Sequence, residues 1–438
     1  MRRWTKTVAL VSLVLVWACA GQGLGSLFQQ CDRVGQNTFV RDTMKDIYLW
    51  YRELPDLDPA KGTYDSPEAY LEAIRYQRYD THFSFITEKA ADTAYYSDSQ
   101  FIGMGISTSQ TSATELRLSQ VFPDSPASEA GLARGDFILT INGKSVADLI
   151  SSGEIATVFG PSDIGVSVDL VWRDMGGQQH GATLKKRAVT IPTVSMTRVY
   201  DLGNRRVGYI FFRNFVSPSV AALNQAFGEL AAQGARELIL DLRYNGGGMT
   251  SVALHLGGLI GGVRTKGEVF ARFSHNDKNT SKDTTDRFAD PAQALDLPRL
   301  TVITTDGSAS ASEAVINGLK PFIPVTLVGD TTYGKPVGQY GFDFCEKVLY
   351  PVSFRVVNAR NEGDYFDGIP VDCPAVDDLD HQLGDPNEAS LAEALSFAAT
   401  GGCSSRNAAA ASALGRRHAE IGKPSHRLDG WRQLIGAY

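Results

Sequence analysis

The chain has 438 residues, too many for one ordinary hydrophobic core, so two or three domains are expected. Hydrophobic residues make up 43% and charged residues 21%, which fits a folded soluble protein. A net charge of −7 with no long basic stripe argues against nucleic acid as a partner.

Met1 to Ala20 reads as a secretory signal, with Arg2, Arg3 and Lys6 as the basic start and Val8 to Trp17 as the apolar run. The run is too short to span a bilayer comfortably. Two exits stay open. Val16-Trp-Ala-Cys19 resembles a bacterial lipobox, which would lipidate Cys19 and anchor the chain to the envelope membrane. Ala18-Cys-Ala20 also fits ordinary signal cleavage, leaving a soluble periplasmic or secreted protein. The other cysteines, Cys31, Cys345, Cys373 and Cys403, are even in number and suit an oxidising compartment. Cys345 and Cys373 flank one strand-rich segment and are expected to pair, leaving Cys31 for Cys403. None has zinc-ligand spacing.

Residues 21–37 are expected to form a linker and 38–96 a mostly helical region, with Tyr48-Leu-Trp-Tyr51 followed by Ala69-Tyr-Leu-Glu-Ala-Ile74. In Tyr79-Asp-Thr-His-Phe-Ser-Phe-Ile86 the aromatics read as core and His82 as structural. Over 97–187, Leu116-Arg-Leu-Ser-Gln-Val121 alternates like a strand. Asp124-Ser-Pro-Ala-Ser-Glu-Ala-Gly-Leu132 and Gly135-Asp-Phe-Ile-Leu-Thr-Ile-Asn-Gly143 follow it, and together the segment resembles a PDZ domain. Gly103, Met104, Gly105 and Ile106 then stand where such domains place their carboxylate-binding loop. An extended peptide tail adds there as a strand, and glycine allows the close backbone approach.

From 188 to 403 strands and helices alternate. Val207–Phe212, Glu237–Leu242, Leu300–Thr305 and Pro324–Val328 read as strands, and Val348–Val357 adds more. Ser217 and Pro218 are expected to open a helix that Gly234 ends, and another helix runs from about Ser310 to Leu319. This spacing implies parallel crossovers, hence an α+β multidomain chain with an α/β core. Residues 404–438 read as a tail or short helices outside that core.

Ser310, in Ser308-Ala-Ser-Ala-Ser-Glu313, and Lys335, in Tyr333-Gly-Lys-Pro-Val-Gly-Gln339, are the candidate reactive pair. A hydroxyl needs a base beside it, and a lysine serves only when burial among apolar neighbours lowers its pKa. In a parallel sheet, sites form where loops leave the carboxyl ends of strands. Arg243-Tyr-Asn-Gly-Gly-Gly248 and Asp306-Gly-Ser-Ala-Ser310 are two such loops, the second opening a helix whose free N–H groups suit a developing oxyanion. Glu313 reads as a cap on that helix. No His-Glu-x-x-His, Gly-x-Ser-x-Gly or Walker loop is present.

Over roughly residues 40–400 the chain resembles the C-terminal processing peptidases, or tail-specific proteases. The resemblance implies a crotonase-like core, Ser310 as nucleophile, Lys335 as base and Gln339 as the residue orienting it. It also implies an oxyanion hole from Gly247 and Ala311 amides, no metal or organic cofactor, and substrates with accessible C-terminal tails. Pro336 stands where the family usually has glycine. Two rivals remain: a dead scaffold whose PDZ-like module captures tails, and a crotonase-type acyl-transfer enzyme acting on thioesters.

Overall fold

The computed structural model describes residues 30–62, 64–421 and 438. The secretory signal and Cys19 lie outside the described residues. No helix among the described residues is long and apolar enough to cross a membrane.

The amino-terminal segment is helical over Arg33–Ile47 and Pro67–Ile74. Asp32 caps the first helix by accepting from the Gly35 amide, and Ser66 with Pro67 opens the second. Helix therefore begins inside the stretch expected to be linker. Val40, Met44, Tyr48 and Tyr70 are buried in one cluster with Val337, Phe344, Leu349 and Val352. The segment thus shares a core with the strands around Lys335 rather than forming a separate unit.

The PDZ-like module is an antiparallel sheet in which Ile106–Ser112, Glu115–Val121, Phe137–Ile141, Ser167–Arg173 and Gln179–Lys185 are successive neighbours. Ile106–Ser112 is an edge strand. Leu116–Val121 lies in the expected strand, Glu115–Val121, and its polar residues Arg117, Ser119 and Gln120 are buried along with the apolar ones. Their face meets the rest of the chain: Arg117 pairs with Asp380, and Gln120 accepts from Arg213.

The larger core is a sheet with Arg205–Phe212, Glu237–Asp241, Leu300–Thr304 and Val325–Gly329 in parallel. Val194–Leu202 closes one edge antiparallel, and the short Cys373–Pro374 strand closes the other in parallel. Successive residues serve opposite faces. Ile210 and Phe212 face Leu223, Leu256 and Val315, whereas Tyr209 and Phe211 face Leu391 and Ala394. Helices consequently cover both sides, as a buried parallel sheet requires.

Several expectations need correction. The helix expected to open at Ser217 and Pro218 runs over Ser219–Ala232, with Ser219 Oγ accepting from the Val216 amide. The strand expected over Val348–Val357 is two strands, Lys347–Tyr350 and Val352–Val357, broken at Pro351, which has no N–H to offer a ladder. The disulfides are Cys31–Cys345 and Cys373–Cys403, not the expected pairs. Pairing of Phe85–Glu88 with Lys347–Tyr350 brings the amino-terminal segment to the hairpin carrying Cys345, and Cys373 on the sheet edge lies beside the end of helix Ala389–Thr400. The segment after Cys403 contains a helix, Asn407–Ile421.

Candidate active site

The strand Leu300–Thr304 delivers its chain to a tight loop that ends at Ser310, immediately before the helix Ala311–Leu319. Ser310 has φ +56°, which an L-residue adopts only under external constraint, at a cost of about 1–3 kcal/mol. The constraints are visible. Ser308 Oγ donates to Leu242 O, the Ala309 amide and Ser312 Oγ both donate to Asn245 O, and the Ser310 amide donates to Glu313 Oε2.

Glu313 is fully buried and holds two loops together. Its Oε2 accepts from the Ser310 and Lys335 amides, both at 2.8 Å. Its Oε1 accepts from the Gly334 amide at 2.7 Å and Thr332 Oγ1 at 2.6 Å. Burial pushes its carboxyl pKa up, and these donors pull against that shift. The residue read as a helix cap also ties the Ser310 loop to the Lys335 loop.

Lys335 is buried, and Nζ donates to Gln339 Oε1 at 2.6 Å. The Gln339 amide nitrogen donates to Phe83 O and Tyr350 O, each at 2.7 Å, and two carbonyls there oblige the amide oxygen to face the lysine. Burial lowers the Lys335 pKa to about 8, opposed by the negative charges of Asp80 and Glu313. The Phe83 ring lies 5.7 Å from Nζ. Pro336 sits between two fixed points, the Lys335 amide on Glu313 and its own carbonyl accepting from Val356. Among the described residues, Lys335 Nζ makes no hydrogen bond to Ser310 Oγ.

The glycine loop lies against Ser310. A side chain at Gly247 would come within 2.9 Å of both Ser310 Cβ and the Ala311 nitrogen, and its φ of +102° suits glycine alone. The Gly247 amide donates to Asn245 Oδ1 at 3.0 Å, while the Ala311 amide has no acceptor among the described residues. Asn245 Nδ2 is held by Phe212 O.

In the smaller module the amides of Met104, Gly105 and Ile106 converge on Tyr438 O, at 3.1, 2.9 and 3.1 Å. A buried ionic junction joins this module to the glycine loop. Arg134 donates to Tyr244 Oη, Asp377 and Ser119 O, and Arg213 donates to Tyr244 O. Burial alone would raise the Asp377 carboxyl pKa, but the Arg134 and Arg243 guanidinium groups hold it below the usual range. Cys373, Glu393 and Cys403 lie close enough for a metal, but both sulfurs are spent in a disulfide.

Glu313 thus ties the Ser310 and Lys335 loops together through their amides, Lys335 Nζ meets Gln339, and Gly247 lies against Ser310 and Ala311, whereas Gly103 to Ile106 lie in the smaller module. Sequence reasoning missed Asp80, Phe83, Asn245 and the second role of Glu313. Asn245 adjoins the glycine triplet and was open to notice. Asp80 and Phe83 lie some 250 positions before the lysine, and no local pattern could have linked them to it.

A serine opening a helix at the end of a parallel strand, a buried lysine of lowered pKa on a neighbouring loop and a PDZ-like sheet with an open edge strand fit a serine-type peptidase that carries a PDZ domain. The family comparison agrees. Residues 206–373 match the model of peptidase family S41, residues 35–85 that of the peptidase S41 N-terminal domain, and residues 117–158 that of a PDZ domain. The two S41 models together span half of the chain, and the chain belongs to peptidase family S41.

A Staphylococcus saprophyticus protein designated a CtpA-like serine protease is 24% identical over 71% of this chain and 60% of its own length. The carboxy-terminal processing protease CtpA of Bacillus subtilis is 28% identical over 55% of this chain and 48% of its own. The chain thus spans only about half to three-fifths of these curated relatives. A solved Bacteroides fragilis structure assigned to the S41 proteases shares the fold, with TM-score 0.65 and 24% identity over 82% of this chain and 96% of that one.

Proposed function

We propose that this chain is an exported serine endopeptidase that cuts proteins near their carboxyl ends, with a Ser310–Lys335 dyad and a PDZ domain that receives substrate tails. The observation that carries the reading is the buried Lys335 amine with its pKa lowered to about 8, held by Gln339 and tied through Glu313 to the Ser310 loop. Neutral Lys335 takes the proton as Ser310 Oγ bonds to the peptide carbonyl carbon. The oxyanion falls to the Ala311 amide, and to the Gly247 amide once the Asn245 carboxamide releases it. Lys335 then gives its proton to the leaving amine. Water, deprotonated by Lys335, attacks the acyl ester carbon, and Lys335 returns that proton to Ser310 Oγ as the ester bond breaks. Gln339 accepts from Lys335 throughout and holds its reach. The core is proposed to be of the crotonase type, supported by its parallel strands and covering helices.

The site is proposed to lie outside the cytoplasm of a bacterium, on the periplasmic side of the envelope, anchored through Cys19 or released after cleavage. Two disulfides support an oxidising compartment. The intact mass of mature protein separates the two exits: a lipid-modified Cys19 at the amino terminus, or an unmodified new terminus after Ala20.

The test of activity is intact-mass spectrometry of an unstructured protein incubated with wild-type, Ser310→Ala and Lys335→Ala chains. Cuts by wild type alone, concentrated towards the substrate's carboxyl end, are expected. No cut by any of the three folded proteins, across several tail sequences, would leave the tail-binding scaffold as the better reading.

A further inference from the structure

We propose that Asp80 is a positioning residue for the Ser310–Lys335 chemistry. Its buried carboxylate fixes the turn over residues 80–84, which brings the Phe83 carbonyl to Gln339 and the Phe83 ring to Lys335. The same carboxylate places a fixed negative charge near the lysine amine. The inference deepens the dyad reading above and rests on it. The amino-terminal segment then supplies part of the site rather than only covering it.

Asp80 and Ser84 are both fully buried. Asp80 Oδ1 accepts from the Ser84 amide at 2.8 Å, and Oδ2 accepts from Ser84 Oγ at 2.5 Å and from Tyr48 Oη at 2.8 Å. Two donors from a residue four positions on close the chain between them into a turn. Ser84 Oγ in turn accepts from the Val352 amide at 3.0 Å, and the Arg75 guanidinium donates to Ser84 O at 3.2 Å. Val352 stands opposite Gln339 in the strand pairing. Phe83, next to Ser84, is therefore held where its carbonyl receives Gln339 Nε2 at 2.7 Å and its ring lies 5.7 Å from Lys335 Nζ. Two carbonyls, Phe83 O and Tyr350 O, decide which end of the Gln339 carboxamide faces the lysine. Phe83 O is the one that the Asp80 turn controls.

The charge acts beside this geometry. Among the described residues none of the hydrogen-bond donors to Asp80 is a cation. Its negative charge favours the ammonium form of Lys335, against the burial that disfavours it. The other charged or titratable groups here come from four elements. Glu313 faces the lysine from the helix Ala311–Leu319, and its carboxylate is taken up by four donors. Tyr48 faces Asp80 from the end of helix Arg33–Ile47. Arg75, at the end of helix Pro67–Ile74, pairs with exposed Glu72, and the Tyr333 ring packs on Phe83 from the lysine loop. Asp80 thus offsets part of the desolvation of Lys335 and keeps the amine basic enough to take a proton from Ser310.

The test compares full-length wild-type, Asp80→Asn and Ser84→Ala chains. Each is read by the rate at which a small fluorophosphonate labels Ser310 from pH 6 to 10, and by its denaturation midpoint. In Asp80→Asn the new NH2 group meets Tyr48 Oη and Ser84 Oγ, and hydroxyls accept as well as donate, so the turn is kept and the charge removed. The labelling midpoint of this variant is expected to fall by at least half a pH unit, which raises the ratio of the pH 6 rate to the pH 10 rate about 3-fold. In Ser84→Ala the charge stays and the tie to Val352 is lost. Labelling is expected to slow at least 5-fold at every pH, with the midpoint unchanged. A wild-type midpoint in Asp80→Asn overturns the role of the charge, and wild-type labelling of Ser84→Ala overturns the hold of the turn on Phe83. Should Asp80→Asn not fold, the Ser84→Ala rate decides alone. Absence of pH-dependent labelling at Ser310 in wild type overturns the dyad reading itself, a result distinct from either of these.

Discussion

In the PDZ-like module the groups proposed to meet a ligand are backbone amides, those of Met104, Gly105 and Ile106 at an edge strand. Around Ser310 the proposed site adds to the Ala311 and Gly247 amides side chains that are each held by others: Lys335 by Gln339, Gln339 by Phe83 and Tyr350 carbonyls, and both loops by Glu313. A backbone site needs little beyond glycine and an open strand, and it tolerates any tail whose last side chain fits. A side-chain site needs a buried scaffold that fixes distance and protonation state. The first suits capture of many ends, and the second suits one bond-breaking geometry.

The sharpest way to separate the two regions is to remove the nucleophile. Ser310→Ala should slow turnover by about 10⁴-fold or more while leaving tail binding unchanged. Parallel turnover and anisotropy measurements check it, and loss of both would mean that the regions are not separable in this way.

Glu313→Gln comes next. All four partners of this carboxylate are donors, so an amide group facing them leaves at least one buried N–H or O–H unpaired. A loss of about 1–3 kcal/mol in stability is expected. A roughly 100-fold fall in turnover should accompany it, because displacement of the loops misplaces the reacting groups. Denaturant melts and turnover assays check the pair, and unchanged turnover would remove Glu313 from the positioning of the dyad.

Gln339→Glu tests the charge state of the lysine. A carboxylate in place of an amide oxygen 2.6 Å from Nζ favours the ammonium, so the Lys335 pKa should rise and the pH–rate midpoint should move up by at least one unit. In wild type, with a pKa of about 8, the neutral amine grows from about a tenth at pH 7 to about nine-tenths at pH 9. Activity should therefore rise with pH over that window. A downward shift in the variant would contradict Lys335 as the titrating base.

Pro336→Gly should have the smallest effect. The flanking bonds, from the Lys335 amide and to the Pro336 carbonyl, are independent of the ring, so turnover should change less than about 3-fold. The added freedom of the unfolded chain should cost about 0.4–1 kcal/mol, read from the denaturation midpoint. Turnover faster by a factor of about ten or more would mean that proline holds the lysine out of place.

How much of this was legible in the sequence follows the same division. Gly103 and Gly105 announced the groove, because a backbone site writes itself as glycine. The Ser310 and Lys335 segments marked the proposed reacting groups, and the apolar surroundings of Lys335 announced its lowered pKa. Their supports were hidden, since Asp80 and Phe83 reach the lysine only through tertiary packing of the amino-terminal helices. The disulfide pairing failed for that reason too: an even number of cysteines carries no connectivity, and the pairing of Phe85–Glu88 with Lys347–Tyr350 brings the amino-terminal segment of Cys31 near Cys345. Likewise, the alternation of Leu116–Val121 gave no warning that its polar face would be buried against Arg213 and Asp380.

The central claim is that buried Lys335 activates Ser310, and acylation of Ser310 tests it most directly. Wild-type and Lys335→Ala chains would be treated with a small fluorophosphonate from pH 6 to 10, and labelling at Ser310 followed by peptide mapping. The account predicts a wild-type labelling rate that rises with a midpoint near 8, and labelling of Lys335→Ala at least 100-fold slower across the range. Equal rates in the two proteins, or label on another residue, would contradict it.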